Sequence, residues 1–260
     1  MKTEIFYFSG TGNSFIVARD IAKGTDGKLT SIPDKINDES IKSDAECIGI
    51  VFPVYFGGYP LIIDNFLKKI ENIKDKYIFA VVTCGGSPGA SINLFEKLVE
   101  SFGGKLSGAF SIQMPGNYIP FYGAIDETKQ KNLFENENKK VISIIDYVKS
   151  GKQGFIDNSN FIMNFVTKII YNIATKRVHE MDKNFRSDEK CNGCGTCAKV
   201  CPVKNIELKD NKPVWKNQCE QCFACLQWCP KAAIEYKNSS VGRKRYHHPD
   251  VKITDMINND

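Results

Sequence analysis

The chain has 260 residues, 42% hydrophobic and 25% charged, with a formal net charge of +5. That balance is globular and the length fits two domains, one of ordinary size and one small. It excludes a membrane span, since no apolar run reaches the roughly 18 residues needed, and a nucleic-acid binder, since the lysines are scattered with no arginine-rich stripe carrying interleaved aromatics. Met1-Lys2-Thr3-Glu4-Ile5 runs straight into a strand pattern, so no signal peptide is expected and a soluble cytoplasmic protein is the reading.

The first ~150 residues alternate strand and helix patterns, which predicts a parallel sheet covered on both faces. The strands are expected at Lys2–Phe8, Lys28–Ile32, Glu46–Phe52, Tyr77–Thr83 and Lys105–Gln113. Helices are expected at Ser14–Lys23, at Leu61–Ile73 with Leu61, Phe66, Leu67 and Ile70 inward, and at Ser91–Phe102. A long helix is expected at Thr128–Lys149 with Leu133, Val141, Ile145 and Val148 inward. Five strands with intervening helices suit an α/β, flavodoxin-like doubly wound parallel sheet of order 2-1-3-4-5.

The first strand ends in Ser9-Gly10-Thr11-Gly12-Asn13-Ser14, where a helix begins. Hydroxyls and free amides at a helix N-terminus form an anion site, and glycines let the backbone close on a phosphate. The loop is neither G-x-x-x-x-G-K-[ST] nor G-x-G-x-x-G. With no lysine or arginine inside it, a monophosphate held by neutral groups fits better than a triphosphate or dinucleotide. The third strand ends in Phe52-Pro53-Val54-Tyr55-Phe56-Gly57-Gly58, and the fourth in Thr83-Cys84-Gly85-Gly86. Met114-Pro115-Gly116-Asn117-Tyr118 and Pro120-Phe121-Tyr122 form a long aromatic loop at the same edge, read equally as a cover over a ligand or as a packed connection.

Residues 151–186 form a connector. Phe161–His179 is expected to be an amphipathic helix whose Phe161, Phe165, Ile169 and Ile173 side docks the two domains. A membrane-surface helix is the alternative, on the strength of Lys168, Lys176 and Arg177. A tail at 237–260 holds Arg243, Arg245 and His247-His248-Pro249, where the histidines are read as packing or surface groups and not as metal ligands.

Between connector and tail, residues 187–236 carry eight cysteines in two copies of C-x2-C-x2-C-x3-C-P. The first copy is Cys191, Cys194, Cys197 and Cys201; the second is Cys219, Cys222, Cys225 and Cys229. This is the spacing of bacterial ferredoxins holding two [4Fe–4S] clusters. Three cysteines at two-residue gaps wrap one cube, and the fourth is carried away to serve the other. One cluster is therefore assigned to Cys191, Cys194, Cys197 and Cys229, and the second to Cys201, Cys219, Cys222 and Cys225. Zinc ribbons use C-x2-C pairs, but two repeats of four, each followed by proline, do not suit isolated tetrahedral sites. Disulfides need an oxidising compartment that nothing here signals.

The phosphate loop, with hydroxyl residues at its first, third and sixth positions, resembles that of flavodoxins. With the cysteine pattern, nearly the whole chain resembles clostridial-type flavodoxin–ferredoxin fusion proteins, the EFR-type ferredoxins. The resemblance implies an FMN-binding domain over 1–150. Ser9, Thr11, Gly12, Asn13 and Ser14 would hold the phosphate. Pro53, Val54, Tyr55, Phe56 and Gly57 would flank the ring on one side, and Thr83, Cys84, Gly85 and Gly86 on the other. Tyr55 and Phe56 read equally as ring contacts or as fold packing. Gly57, Gly58, Gly85 and Gly86 are expected to let backbone amides reach the ring edge. Cys84 is a redox thiol or a buried inert one, and Cys47 belongs to the core.

Two clusters at about −2 each and a flavin phosphate at about −1.5 to −2 would bring the formal +5 near neutrality. The expected function is electron transfer between the clusters and FMN, with ferredoxin-like proteins as donor or acceptor, in an anaerobe. The alternative is an FMN-dependent oxidoreductase acting on a small organic substrate with the clusters as relay. A redox- or iron-responsive regulator ranks below both.

Overall fold

The structure is a computed structural model that describes residues 1–257, so the last three residues of the expected tail lie outside the described residues. The elements run β1 (Thr3–Tyr7), α1 (Asn13–Gly24), β2 (Lys28–Ser31), α2 (Ile32–Lys35), β3 (Cys47–Pro53) and α3 (Leu61–Leu67). They continue with β4 (Tyr77–Cys84), α4 (Ser91–Ser101), β5 (Leu106–Gln113), α5 (Glu127–Lys149), β6 (Phe155–Ile156) and α6 (Phe161–Ala174). After two 3-10 segments, Thr175–Arg177 and His179–Asn184, come β7 (Phe185–Ser187), α7 (Thr196–Lys199), β8 (Ile206–Lys209), β9 (Lys212–Trp215), α8 (Ala224–Gln227) and β10 (Ile234–Tyr236).

The parallel sheet has six strands in the order β2-β1-β3-β4-β5-β6. Its first five strands take the flavodoxin-like order. The sixth, β6, is a two-residue edge strand beside β5, pairing Gly108 with Phe155 and Ala109 with Ile156. Nothing so short carries a periodicity to read.

Strand alternation sends successive side chains to opposite faces. Phe6, Phe8, Ile50, Phe52, Ala80 and Val82 pack beneath α3 and α4, against Ile62, Phe66, Ile92 and Phe95. On the other face Ile5, Val51, Phe79, Val81 and Ile112 meet Val17 and Ile21 of α1 and Val141, Ile144 and Val148 of α5. Glu137, Val141, Ile144 and Val148 are the buried residues of the long helix; Ile145 and Leu133 are only partly covered. Helix α3 stops at Leu67, short of the expected Ile73, because the chain beyond it is drawn into a bridge between Ile41 and Ile70. There Glu71 N–H donates to the Ile41 carbonyl at 2.9 Å.

The cysteine-rich region forms two antiparallel pairs, β7 with β10 and β8 with β9. Asp210 and Asn211, at φ 49° and 59°, make the left-handed turn of the β8–β9 hairpin. This region does not stand off as a separate body. Val200, Cys222, Ala224 and Trp228, together with Val251 and Met256 of the tail, join the hydrophobic core on the α3/α4 side of the sheet.

The connector departs from expectation. Helix α6 ends at Ala174, and its Phe161, Phe165, Ile169 and Ile173 side is exposed and docks on nothing among the described residues. Tyr171 is its buried residue. The contact is made by the opposite side: a Cβ on Gly57 would lie 2.5 Å from Thr167 Cβ, and one on Gly58 would lie 2.2 Å from the Tyr171 ring. Two glycines thus let the helix close on the loop after β3. The glycines of that loop leave the space the helix occupies.

Candidate functional site

The carboxyl ends of β1, β3, β4 and β5 open onto one cavity of about 560 Å³. It lies where the strand order reverses between β1 and β3, the place where open α/β sheets bind ligands. Its size is that of a small-molecule site.

Ser9, Gly10, Thr11, Asn13 and Ser14 line one end. Amides in the first turn of a helix have no intrahelical acceptor, so the N-terminus of α1 offers N–H donors there. The loop is held rigid around them. Gly12 N–H donates to Ser9 Oγ at 3.1 Å, and Ser14 Oγ pairs with Thr83 Oγ1 at 2.8 Å. Thr11 Oγ1 accepts from Asn117 Nδ2 at 2.9 Å. The Asn13 side chain is committed to the protein, donating to the Pro115 carbonyl at 2.9 Å and accepting from Tyr246 Oη at 2.6 Å. Its part at the site is therefore to fix the loop, with its backbone left to face a ligand.

The rest of the lining is largely apolar: Pro53 at the end of β3 with Val54, Tyr55 and Phe56 from the loop after it, Thr83, Cys84 and Gly85 from β4 and its end, and Tyr118, Phe121 and Tyr122 from the aromatic loop. Three of the expected residues stand outside it. Gly12, at φ 97°, turns toward His248 and Val251; Gly57 faces Thr167; Gly86 lines an adjoining cleft. Burial pushes the Cys84 thiol up to about 11, which disfavours its thiolate.

Two lining residues had no sequence signal. Ile170 reaches in from α6 and Gln221 from the cysteine-rich region. Gln221 lies between Cys219 and Cys222 and is buried. Its Nε2 donates to Cys219 Sγ at 3.4 Å, while its Oε1 is buried with no protein partner. The Tyr55 hydroxyl is likewise buried and unpartnered.

The eight cysteines fall into two groups in space. Cys191, Cys194, Cys197 and Cys229 line one small cleft, with Gly193, Gly195 and Ile234. Cys201, Cys219, Cys222 and Cys225 are buried together in the interior. Burial pushes the Cys219 thiol up to about 12, and neighbouring Cys201 adds to it; burial drives Cys222 and Cys225 well above the ordinary range, again with Cys201 adding. Four buried thiols facing one another need a cation to ionise, so loading the group with metal must release protons.

Among the described residues no three His, Cys, Asp or Glu side chains converge as a single ion requires. A tetrahedral ion draws its sulfurs to about 2.3 Å from one point, whereas a cube gives each thiolate its own iron. The donor set suits the cube. Amide N–H groups already point at the sulfurs: Asn205 to Cys201 at 3.2 Å, Gln221 to Cys219 at 3.2 Å and Ala233 to Cys229 at 3.3 Å. Such bonds stabilise thiolate charge and tune cluster potential.

The two sites touch. A Cβ on Gly10 would lie 2.6 Å from the Cys222 carbonyl oxygen, so only glycine lets the phosphate loop and the inner cysteine loop meet. Trp228 Nε1 donates to the Gly10 carbonyl at 3.0 Å. The tail closes the assembly: His248 N–H donates to the Thr11 carbonyl at 2.9 Å, and the His247 ring stacks on Trp228 at 4.1 Å. Both histidines pack, as expected of them.

Fold and site define a flavodoxin-like α/β domain fused to an iron–sulfur domain. Residues 183–230 match the family model described as a 4Fe-4S dicluster domain. No curated protein matches the chain. Among solved structures, the two-electron reduced flavodoxin of Megasphaera elsdenii is 21% identical, covering 53% of this chain and 98% of that one at a TM-score of 0.37. A flavoprotein of Lactobacillus acidophilus NCFM in complex with FMN is 20% identical, covering 42% and 92% at 0.35. A putative flavoprotein of Bacteroides uniformis is 19% identical, covering 43% and 90% at 0.37. At TM-scores this low the likenesses add nothing to the topology, which stands on the strand order itself.

Proposed function

We propose that the chain is an electron-transfer flavo-iron–sulfur protein, exchanging electrons between two [4Fe–4S] clusters and FMN. FMN supplies both one- and two-electron chemistry, and each cluster supplies one-electron chemistry. The observation that carries the reading is the contact of Gly10 with Cys222, which sets the phosphate loop against the inner cysteine group.

In this reading Ser9, Gly10, Thr11 and Ser14 with the first turn of α1 hold the phosphate, and Tyr55, Phe56, Tyr118 and Tyr122 enclose the ring. Cys201, Cys219, Cys222 and Cys225 hold the inner cluster. Cys191, Cys194, Cys197 and Cys229 hold the outer one, where Cys194 is exposed and Cys191 and Cys229 are partly so. The outer group is the port for redox partners, of which a ferredoxin-like protein is the expected kind. Exposed clusters and free thiols suit a reducing, oxygen-poor cytoplasm. Among the described residues no helix is long and apolar enough to cross a membrane.

The test is cofactor analysis of protein purified without oxygen. About eight iron and eight sulfide with one FMN per chain is the expected result. Eight iron without flavin would leave the N-terminal domain as a docking module and end this reading.

One observation favours a second reading. A cleft of about 770 Å³ adjoins the cavity and shares Val54, Cys84, Gly85, Gly116 and Tyr122 with it. That is room for a small organic substrate beside the flavin, oxidised or reduced there while the clusters relay electrons. Turnover of candidate substrates under a cluster reductant, lost on shortening the Met114–Tyr122 loop, separates this from pure electron transfer.

A further inference from the structure

Helix α6 is amphipathic in the reverse sense. At 100° per residue, Asn164, Thr167 and Tyr171 share the side that meets the protein, and it is the polar and small side. The opposite side presents Phe161 at 83% exposure, Ile162 at 74%, Phe165 at 60% and Ile173 at 67%, with Val166 and Ile169 between them. Scattered apolar residues on a surface are ordinary, but a contiguous helical face of this kind marks an interaction site.

The charges around it say what kind. No acidic residue occurs between Asp157 and Glu180, while Lys168, Lys176 and Arg177 are all exposed in that stretch. Lys168 borders the apolar side, and Lys176 and Arg177 follow the helix's C-terminal end. A second copy docked through the same face would bring further cations to the seam and, from its own helix, no carboxylate to pair with them. Anionic lipid headgroups complement them.

We propose that α6 docks the protein on an anionic lipid surface, its apolar side sunk into the headgroup region and its axis in the membrane plane. Fourteen residues are too few to span. Ile170 of the same helix and Phe121, 77% exposed, both line the cavity. Docking therefore sets the cavity's mouth at the lipid boundary, within reach of lipid-soluble compounds. The docking proposal stands whether or not the cavity holds a flavin.

Flotation of the full-length holoprotein with vesicles tests it. Vesicles of phosphatidylcholine with phosphatidylglycerol should carry the protein at low salt, and pure phosphatidylcholine should carry much less. The double variant F161S/F165S should lose at least about ten-fold in partitioning, from the apolar area withdrawn. K168E/K176E/R177E should abolish the preference for the anionic vesicles and its salt dependence. Both variants change exposed side chains, so thermal unfolding and cofactor content should match the parent. Failure to float with either vesicle, or flotation indifferent to F161S/F165S, overturns the proposal. So does sedimentation showing a dimer that F161S/F165S dissociates in a protein that ignores vesicles, which would assign the face to a second copy.

Discussion

The indole N–H of Trp228 donates to the carbonyl oxygen of Gly10 at 3.0 Å, across 218 residues of sequence. One residue lies beyond the last cysteine triplet, the other in the phosphate loop. The bond is buried, so the shape of the anion site depends on the iron–sulfur region being folded against it. Trp228→Phe keeps one aromatic ring and removes the pyrrole N–H, leaving the Gly10 carbonyl buried and unpaired. The expected loss is about 1–3 kcal/mol, read as a lower urea midpoint. Flavin affinity should weaken several-fold with iron content unchanged.

Cysteine grouping predicts which cluster each variant damages. Cys201→Ala should disturb the cluster of Cys219, Cys222 and Cys225, although Cys201 ends the first sequence motif. Cys229→Ala should disturb that of Cys191, Cys194 and Cys197, whose cleft it lines. Paramagnetic resonance that resolves the two clusters checks this; damage confined to the cluster nearest in sequence would refute the crossed arrangement.

Gln221 stands in both sites, its amide N–H on Cys219 Sγ and its oxygen buried at the cavity wall. Gln221→Leu removes the sulfur bond. A bond worth about 1 kcal/mol corresponds to about 40 mV for a one-electron couple, so the inner cluster's potential should fall by roughly that amount. The flavin absorption bands should shift as well. A potential change in the outer cluster alone would contradict the placement.

Gly58→Ala drives a methyl into the Tyr171 ring and should cost about 1–3 kcal/mol as overpacking. Faster amide exchange across Phe161–Ala174 should accompany it. Gly86→Ala is the control, because a Cβ there meets nothing within 4 Å.

Burial, with Asp20 adding, pushes the Glu137 carboxyl up to about 7, and its Oε1 has no protein partner. The folded protein therefore binds a proton that the unfolded chain releases near pH 4.5, and this contribution to stability is lost as pH rises from there through about 7. Burial lowers His248 to about 4, which acts with the opposite sign below pH 6.5 and flattens the parent's curve. The difference between Glu137→Gln and the parent isolates the carboxyl. The variant should gain on the order of 2 kcal/mol at pH 8 and nothing at about pH 3.5, where both states hold the proton, read from urea unfolding.

What the sequence determined lies in local signals. Buried parallel strands such as Tyr77–Cys84 are continuous apolar runs, and the helices between them carry a 3.6-residue period, so the five-strand order was legible. The cysteines were legible because ligand spacing is a property of a short loop. Only the tertiary structure decided the rest. The apolar stripe of Phe161–Ala174 was visible, but a period does not say which side meets the protein, and the glycines at 57 and 58 placed Thr167 and Tyr171 inward. Gln221, Ile170 and Trp228 reach the cavity or its loop through contacts between distant segments. Such contacts are fixed by packing the cysteine-rich region into the sheet's own core, and no local pattern encodes them.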